Sequence, residues 1–356
     1  LTDSISEARF DAEPLQVWAG DVLASCGMPV DEARTAATVL VRTSLRGIDT
    51  HGISRLPLYA EALKSGSINP RPRHGAQMRN GMLHYEGDRG LGQLIGIAAT
   101  KAAIECARDQ AVVCCLVHRC GHLAALGSYV LVAAEAGMVA VMAQATQPLM
   151  ALPGWTGRAI GNNPLAFAVP VAGGPALVFD MATSVVARGH LRQAIREGTP
   201  VPEGWTLAPD GTPTTDPDAA WAGAVLPVGG YKGMGLAMLV QTLVNSLQGN
   251  TASVNSGTRA GTADMGGFLM VLNPALIDNG FGSDVDTWLR TYRDAAGADG
   301  RYPGERAARS EADRRRKGVP IPPVLLGQLS DLGVETGVPF ALRPAQGQTP
   351  PGWSDQ

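Results

Sequence analysis

Through residues 11–68 apolar side chains return every three or four positions, the period of an amphipathic helix. One run extends from Asp11 to Leu23 and a second from Asp31 to Arg46, each aspartate placed to cap the helix that follows. A third run starts near Thr50, continues to about Ser65 and stops at Gly66, after which Pro70 and Pro72 mark a linker. From Met82 the pattern changes. MLHYEG (82–87) reads as a short strand, residues 91–110 as a helix, and AVVCCLVH (111–118) as a buried strand. A helix over Ala124–Ala136 and a strand over Met138–Ala143 come next, then strands at 165–170 and 176–180. This alternation predicts a layered α/β domain. Residues 233–248 read as a buried, glycine-led amphipathic helix, 268–272 as one more strand, and 285–317 as charged and helical. The closing RPAQGQTPPGWSDQ is polar and rich in Pro and Gly, which predicts disorder. The chain therefore divides into a helical region at 1–72, an α/β domain at 73–280 and a second helical region at 281–340 packing against the first. A disordered tail is expected at 341–356.

Composition narrows the class. With 356 residues and 45% apolar side chains the chain can bury a sizeable core. A net charge of −3 and 5% aromatic residues offer neither the field nor the stacking surface that nucleic acid requires. Five cysteines in no framework spacing read as reduced thiols. LTDSISEARF has no basic run followed by an apolar core, and the apolar run at 131–143 is short and contains Glu135. The expectation is a soluble, cytoplasmic protein without a membrane partner.

Two stretches imitate known sites. GDRGLGQLIG (87–96) follows a strand and opens a helix, but its glycines run G-x-G-x-x-x-G. The next strand ends in Val117-His118-Arg119, with no acid for a ribose. Tight helix–sheet packing accounts for these glycines better than a dinucleotide does. CCLVHRCGH (114–122) would turn His118, Cys120 and His122 to one side of the sheet if it stayed extended. A zinc site normally needs a second close pair of ligands, and none is evident, so no metal is expected and zinc binding stands only as an alternative.

DTHGISRLPLY (49–59) carries the strongest chemical signal. His51, Arg55 and Tyr59 are spaced by four residues and would share one helix face. Gly52 would open space beside His51, and Pro57 would kink the axis. Arginine grips a carboxylate with two parallel hydrogen bonds, and histidine exchanges protons near neutral pH. Together they suit a 2-oxo or 2-imino acid held by its carboxylate and protonated next to it.

The segments 46–70 (RGIDTHGISRLPLYAEALKSGSINP), 121–129 (GHLAALGSY), 160–170 (IGNNPLAFAVP) and 178–189 (VFDMATSVVARG) occur in order. PDGTPTTDP (209–217), LPVGGYKGMGLAM (226–238) and YPGER (302–306) follow. These seven collinear motifs resemble the type-2 malate/L-lactate dehydrogenase family of NAD(P)-dependent oxidoreductases, which includes reductases of cyclic imine carboxylates. The resemblance implies a non-Rossmann α/β fold with a central sheet domain and helical regions from both chain ends. It also implies an NAD(P)H cofactor and a homodimer with active sites near the interface. By position, His51 matches the family's proton donor, Thr50 its supporting hydroxyl, and Arg55 the arginine on the substrate carboxylate. His122 matches a second histidine near the nicotinamide and is the alternative acid/base. Tyr59, Asn162, Arg188 and Gly189 fall by the substrate. Leu123, Ala124, Ala125 and Leu126, with Asp180, Met181 and Ala182, fall by the cofactor. Lys232 is one of four lysines in the chain and sits in GGYKGMG, a loop opening a helix, which suits a pyrophosphate. Pro303, Gly304 and Glu305 match a loop that closes over the cofactor. Three departures touch the substrate: Leu-Ala-Ala after His122, GNNP in place of GTNP, and no lysine between His122 and Asn163. The expected function is hydride transfer between nicotinamide and C2 of a small 2-oxo/2-hydroxy acid, with a cyclic 2-imino acid as the alternative substrate. An inactive, ligand-binding member of the family is the remaining possibility.

Overall fold

The computed structural model describes residues 8–249, 265–297 and 300–345. The first strand, β1 (Ala8–Phe10), leads into helices α1 (Ala12–Ser25) and α2 (Val30–Leu45). Two 3₁₀ turns, Asp49–His51 and Ile53–Arg55, precede α3 (Leu56–Lys64). The α/β region then runs β2 (Gly75–Arg79), β3 (Met82–Gly90), α4 (Gly92–Ala107), β4 (Val112–Cys120), α5 (Gly127–Glu135) and β5 (Val139–Gln144). Short strands β6 (Pro148–Met150) and β7 (Ile160–Gly161) are followed by β8 (Leu165–Val169), β9 (Leu177–Met181) and α6 (Arg188–Glu197). After them come β10 (Thr206–Leu207), β11 (Pro213–Thr214), α7 (Pro217–Ala222), β12 (Ala224–Val225) and α8 (Tyr231–Gln241). The described chain ends with β13 (Met265–Leu272), α9 (Phe281–Ala296), α10 (Glu305–Lys317), β14 (Val319–Ile321) and α11 (Pro323–Thr336).

The central sheet has the order β2-β3-β4-β13-β5-β8-β9. Only β3 and β4 pair in parallel, with α4 as their crossover, and every other neighbour is antiparallel. Helices α4 and α5 pack on this sheet through fully buried Ile95, Ala99, Ala103, Leu126 and Val130, which belong to the main core. A smaller five-stranded sheet, β11-β10-β12-β6-β7, forms with α6 and α7 a satellite core around Leu149, Leu191, Val201 and Val225. The two chain ends meet: β1 pairs antiparallel with β14, the Trp18 indole donates to the Val338 carbonyl at 3.0 Å, and Phe340 packs edge-on against Phe10 and Trp18. Glu311 of α10 joins Arg42 and Arg46 of α2. No described helix is long and apolar enough to cross a membrane.

Several elements differ from their sequence reading. The third helix does not begin at Thr50: residues 49–55 form the two 3₁₀ turns, and Pro57 sits in the first turn of α3, where its missing amide costs nothing. Asp11 occupies the cap position of α1 without a side-chain capping bond, and α2 starts one residue before Asp31. The helix read from Ala124 begins at Gly127, because Ala124 has a left-handed φ of 61°. The stretch 285–317 is not one helix: α9 ends at Ala296 and α10 starts at Glu305. The helix read as buried over 233–248 exposes Met238, Leu239 and Leu247. Of the tail, residues 346–356 lie outside the described residues.

Candidate active site

The turns at 49–55 are pressed onto α2. The amide of Ile53 donates to Ser44 Oγ at 2.9 Å, and a Cβ on Gly52 would stand 2.1 Å from that oxygen and 3.1 Å from the Leu40 carbonyl. Gly52 is therefore a close approach to the preceding helix, and the expected space beside His51 is taken. Thr50 Oγ1 lies 2.9 Å from His51 Nδ1. Arg55 Nε donates to the Thr50 carbonyl at 2.6 Å. That bond aims the guanidinium and leaves its two terminal amino groups, the fork that grips a carboxylate, without an acceptor among the described residues. Thr50 thus supports both neighbours, one through its hydroxyl and one through its backbone.

His122 arrives from the other side, just beyond β4. Its ring centroid is 6.1 Å from that of His51. Tyr59 Oη, 1% exposed, lies 3.1 Å from His122 Nδ1 and accepts a bond from Gln93 Nε2 at 3.2 Å. The same Gln93 nitrogen donates to the His122 carbonyl at 3.3 Å. Burial pushes the Tyr59 phenol up to about 12, so it keeps its proton. Gln93 fills one lone pair of the phenol, and among the described residues His122 Nδ1 is the acceptor within reach of its O–H, so the phenol donates to His122 Nδ1, which assigns the imidazole hydrogen to Nε2. Burial, then the charge of Arg55, pushes His51 down to about 4. His122 is pushed down to about 3 by burial, then by His51 and Arg55. Both rings are neutral near pH 7. Tyr59, expected at the substrate, is buried and bonded to His122 Nδ1.

Thr50 and Arg55 open onto a cleft of about 1580 Å³, whose lining also includes Gln147, Pro148, Arg188 and Gly189. His51 and His122 are half-buried and set back from that lining. Asn162 Oδ1 accepts from Thr146 Oγ1 at 2.8 Å, and its carbonyl accepts from the Thr183 amide at 2.9 Å. The second asparagine of GNNP, Asn163, is fully buried and ties this corner to α8 through the Ala237 carbonyl at 2.9 Å.

The loop after His122 is held by Gln144, whose side chain accepts from the Leu123 amide at 2.9 Å and donates to the Gly121 carbonyl at 3.2 Å. Leu123, Ala125 and Leu126 are buried, and the Leu123 amide and carbonyl are engaged by Gln144 and the Tyr129 hydroxyl. Asp180 Oδ2 accepts from the Gly127 amide at 2.7 Å, joining β9 to the start of α5. Met181 and Ala182 are half-buried. The next residue, Thr183, accepts from the Val228 amide at 2.9 Å, which brings the glycine loop alongside. In that loop Gly229 and Gly230 have φ of 58° and 62°, and Lys232 is exposed without an ion pair among the described residues. The amides of Gly230, Lys232, Gly233 and Met234 donate to carbonyls of residues 227–230, so the Lys232 charge and the positive end of α8 are what suit a phosphate group. Pro303 accepts from the Val178 amide at 3.0 Å, placing its loop against β9. Gly304 has φ of 103°, and Glu305 is buried, bound to Arg293 and to the Tyr302 amide. Glu305 holds this loop in place with groups of its own chain.

The alternation behind the zinc reading fails at Arg119, whose left-handed φ of 42° breaks the strand pattern. His118 instead bonds His84 at 2.9 Å, and Cys120 is fully buried beside Gln144. Among the described residues no three His, Cys, Asp or Glu side chains are grouped to hold a metal. The glycines of 87–96 do serve packing: a Cβ on Gly92 would lie 2.2 Å from the His122 carbonyl, and one on Gly96 would lie 2.6 Å from the Tyr129 ring. Gln93, Gln144 and Thr146 escaped sequence reasoning, since a lone amide or hydroxyl in an apolar element carries no local signature.

Two neutral imidazoles beside an arginine with a free fork equip an α/β enzyme to hold a carboxylate and move a proton next to it. The chain belongs to the malate/L-lactate dehydrogenase family, whose model matches residues 10–330. It is 33% identical over 334 residues to a malate dehydrogenase of Pyrococcus abyssi, covering 89% of this chain and 92% of that one. It is 32% identical over 339 residues to a Delta(1)-pyrroline-2-carboxylate reductase of Ancylobacter novellus, covering 91% and 97%. The solved sulfolactate dehydrogenase of Methanocaldococcus jannaschii superposes with a TM-score of 0.84 at 31% identity, over 93% of this chain and 98% of that one.

Proposed function

We propose that this enzyme is an NAD(P)H-dependent oxidoreductase interconverting a small 2-oxo and 2-hydroxy carboxylate, acting as a cytoplasmic homodimer with active sites near the interface. The observation that carries the reading is the Arg55 fork, aimed by the Thr50 carbonyl and left open next to two neutral histidines. When bound, the nicotinamide cofactor supplies or accepts a hydride at C2 of the substrate. Lys232 and the positive end of α8 would hold its phosphates. Asp180, Met181 and Ala182, the backbone from His122 to Leu126, and the loop Pro303–Glu305 would hold the remainder, a non-Rossmann site.

Arg55 binds the substrate carboxylate through its two terminal nitrogens. The bound carboxylate offsets the arginine charge that holds His51 down, so its proton affinity rises as the site fills. His51 thereby takes up a proton from solvent and delivers it to the oxygen on C2 as the hydride arrives, returning to the neutral ring, and Thr50 keeps the ring oriented. His122, fixed by Tyr59 with hydrogen on Nε2, offers a donor to the oxygen as it gains charge. His122 is the alternative proton donor. The same clamp and donors would serve a cyclic 2-imino acid, a reading supported by the named activity of the Ancylobacter relative.

The test is steady-state kinetics on a panel of 2-oxo acids and cyclic imine carboxylates with NADH and NADPH. Turnover of at least one 2-oxo acid is expected. Turnover of cyclic imines alone would shift the function to the imine substrate, and no turnover of either class with either cofactor would refute the reading.

A further inference from the structure

The cleft entered by Arg55 holds a second group of cations that the reaction at C2 does not use. Arg188, Arg192 and Arg196 are spaced by four along α6, share one face of it and all line the cleft. The Arg188 guanidinium lies 3.9 Å from the centroid of the Trp221 ring, and that of Arg192 lies 5.4 Å from it. An aromatic face supports a cation without neutralising it. Arg188 Nε is buried and has no hydrogen-bond partner. Arg158 stands close enough to add repulsion, and it is occupied with the carbonyls of Trp221 and Gly223 at 2.7 and 2.8 Å.

None of the three α6 arginines has an acidic partner among the described residues. The acids that line the cleft lie elsewhere. Asp49 pairs with Arg314 and Glu335 with Lys64, while Glu61 belongs to α3 and Asp331 to α11. The start of α6 adds its own partial positive charge beside Arg188. A partly buried guanidinium with an orphaned nitrogen, whose charged neighbours Arg158 and Arg192 are both cations, is costly unless an anion completes it.

We propose that Arg188 and Arg192, seated on Trp221, bind the distal anionic group of the substrate while Arg55 binds the carboxylate next to C2. The substrate is then a dianionic 2-oxo/2-hydroxy acid with a carboxylate or sulfonate at its far end, and monocarboxylates of the lactate type are poor substrates. This rests on the oxidoreductase reading above.

The experiment compares kcat/KM for oxaloacetate, 3-sulfopyruvate and pyruvate in the wild type, Arg188→Gln and Arg192→Gln, each checked for native circular dichroism. A wild-type preference of about 100-fold for a dianion over pyruvate is expected, the scale of one charge-assisted hydrogen-bonded pair. The preferred dianion identifies the distal group as carboxylate or sulfonate. Arg188→Gln should cut the dianion-to-pyruvate ratio at least about tenfold. Equal or better use of pyruvate by the wild type, or a ratio unmoved in both natively folded variants, would overturn the assignment. Tryptophan fluorescence titrated with L-malate and with L-lactate separates the two readings. If neither a 2-oxo acid nor a cyclic imine turns over, the oxidoreductase reading fails. Preferential malate binding that is lost in Arg188→Gln would still uphold the anion subsite, and equal binding of the two acids would remove it.

Discussion

Replacing Gly92 by alanine tests whether the glycines of 87–96 serve packing or phosphate binding. Gly92 is the first residue of α4 and is buried against the backbone that carries His122. The added Cβ would stand 2.2 Å from the His122 carbonyl oxygen, 2.6 Å from its carbon and 2.8 Å from the Gly121 oxygen. Backbone cannot rotate aside as a side chain would. Ordinary contact therefore requires the 121–122 segment or the start of α4 to shift by about 1 Å, an overpacking that costs about 1–3 kcal/mol. The segment has little freedom to comply, because Gly121 donates to Gly90 at 3.0 Å and Gln93 donates to the His122 carbonyl at 3.3 Å. A misplacement of that size at a reacting group reduces rate by about 100-fold. Urea unfolding and kcat/KM should thus both fall for Gly92→Ala. Gly327→Ala is the contrasting variant: nothing lies within 4 Å of its added carbon inside α11, so stability should rise by up to about 1 kcal/mol. Unchanged stability in Gly92→Ala, with weakened cofactor affinity alone, would refute the packing argument and restore these glycines as a phosphate loop.

Tyr59→Phe keeps the buried ring but removes one of the two acceptors of Gln93 Nε2 and frees His122 Nδ1. Ring-nitrogen NMR should then show His122 as a tautomer mixture, with kcat lowered at least about tenfold; a single unchanged tautomer would remove Tyr59 as a positioning residue. Stability should fall as pH drops below about 6.5, because the unfolded chain takes up protons before His51, held near 4, and His122, held near 3. The slope is at most about 1.4 kcal/mol per pH unit for each histidine. Urea unfolding from pH 7 to pH 4 reads it, and no flattening of that slope in His122→Gln would contradict the assignment. Glu311→Ala removes the carboxylate shared by Arg42 and Arg46, leaving Arg46, 6% exposed, without its counter-ion. A loss of about 3 kcal/mol is expected in thermal unfolding, and a change within about 0.5 kcal/mol would show the pair to be inconsequential.

What was legible in the chain follows from the range of the interactions. Helix α4 and strand β4 were visible because sixteen and nine residues are long enough to display a period. Strands β7, β10, β11 and β12 have two residues each and owe their existence to the sheet they join, not to their own pattern. Helix α6 was missed because RGHLRQAIRE buries only Leu191 and Ala194. Pro57 was misread as a kink because the same residue type is favoured in a first turn, and the pattern alone does not locate that turn. In the site, local spacing suggested the Arg55 clamp, and resemblance added His122. The bond between Tyr59 and His122 spans 63 residues of sequence, and the Gln93 link spans 34, so neither leaves a local trace. The cationic face at Arg188 and Arg192 became apparent only when α6 was folded over Trp221.

The most direct test of the site is kcat/KM for the preferred 2-oxo acid in Arg55→Lys against the wild type. Lysine keeps the charge but supplies a single point donor, without the two-pronged grip and without the Nε bond to Thr50. A loss of about 100-fold, carried mainly by KM, is the expected result. An Arg55→Lys enzyme with wild-type KM would contradict the carboxylate clamp on which the proposed chemistry depends.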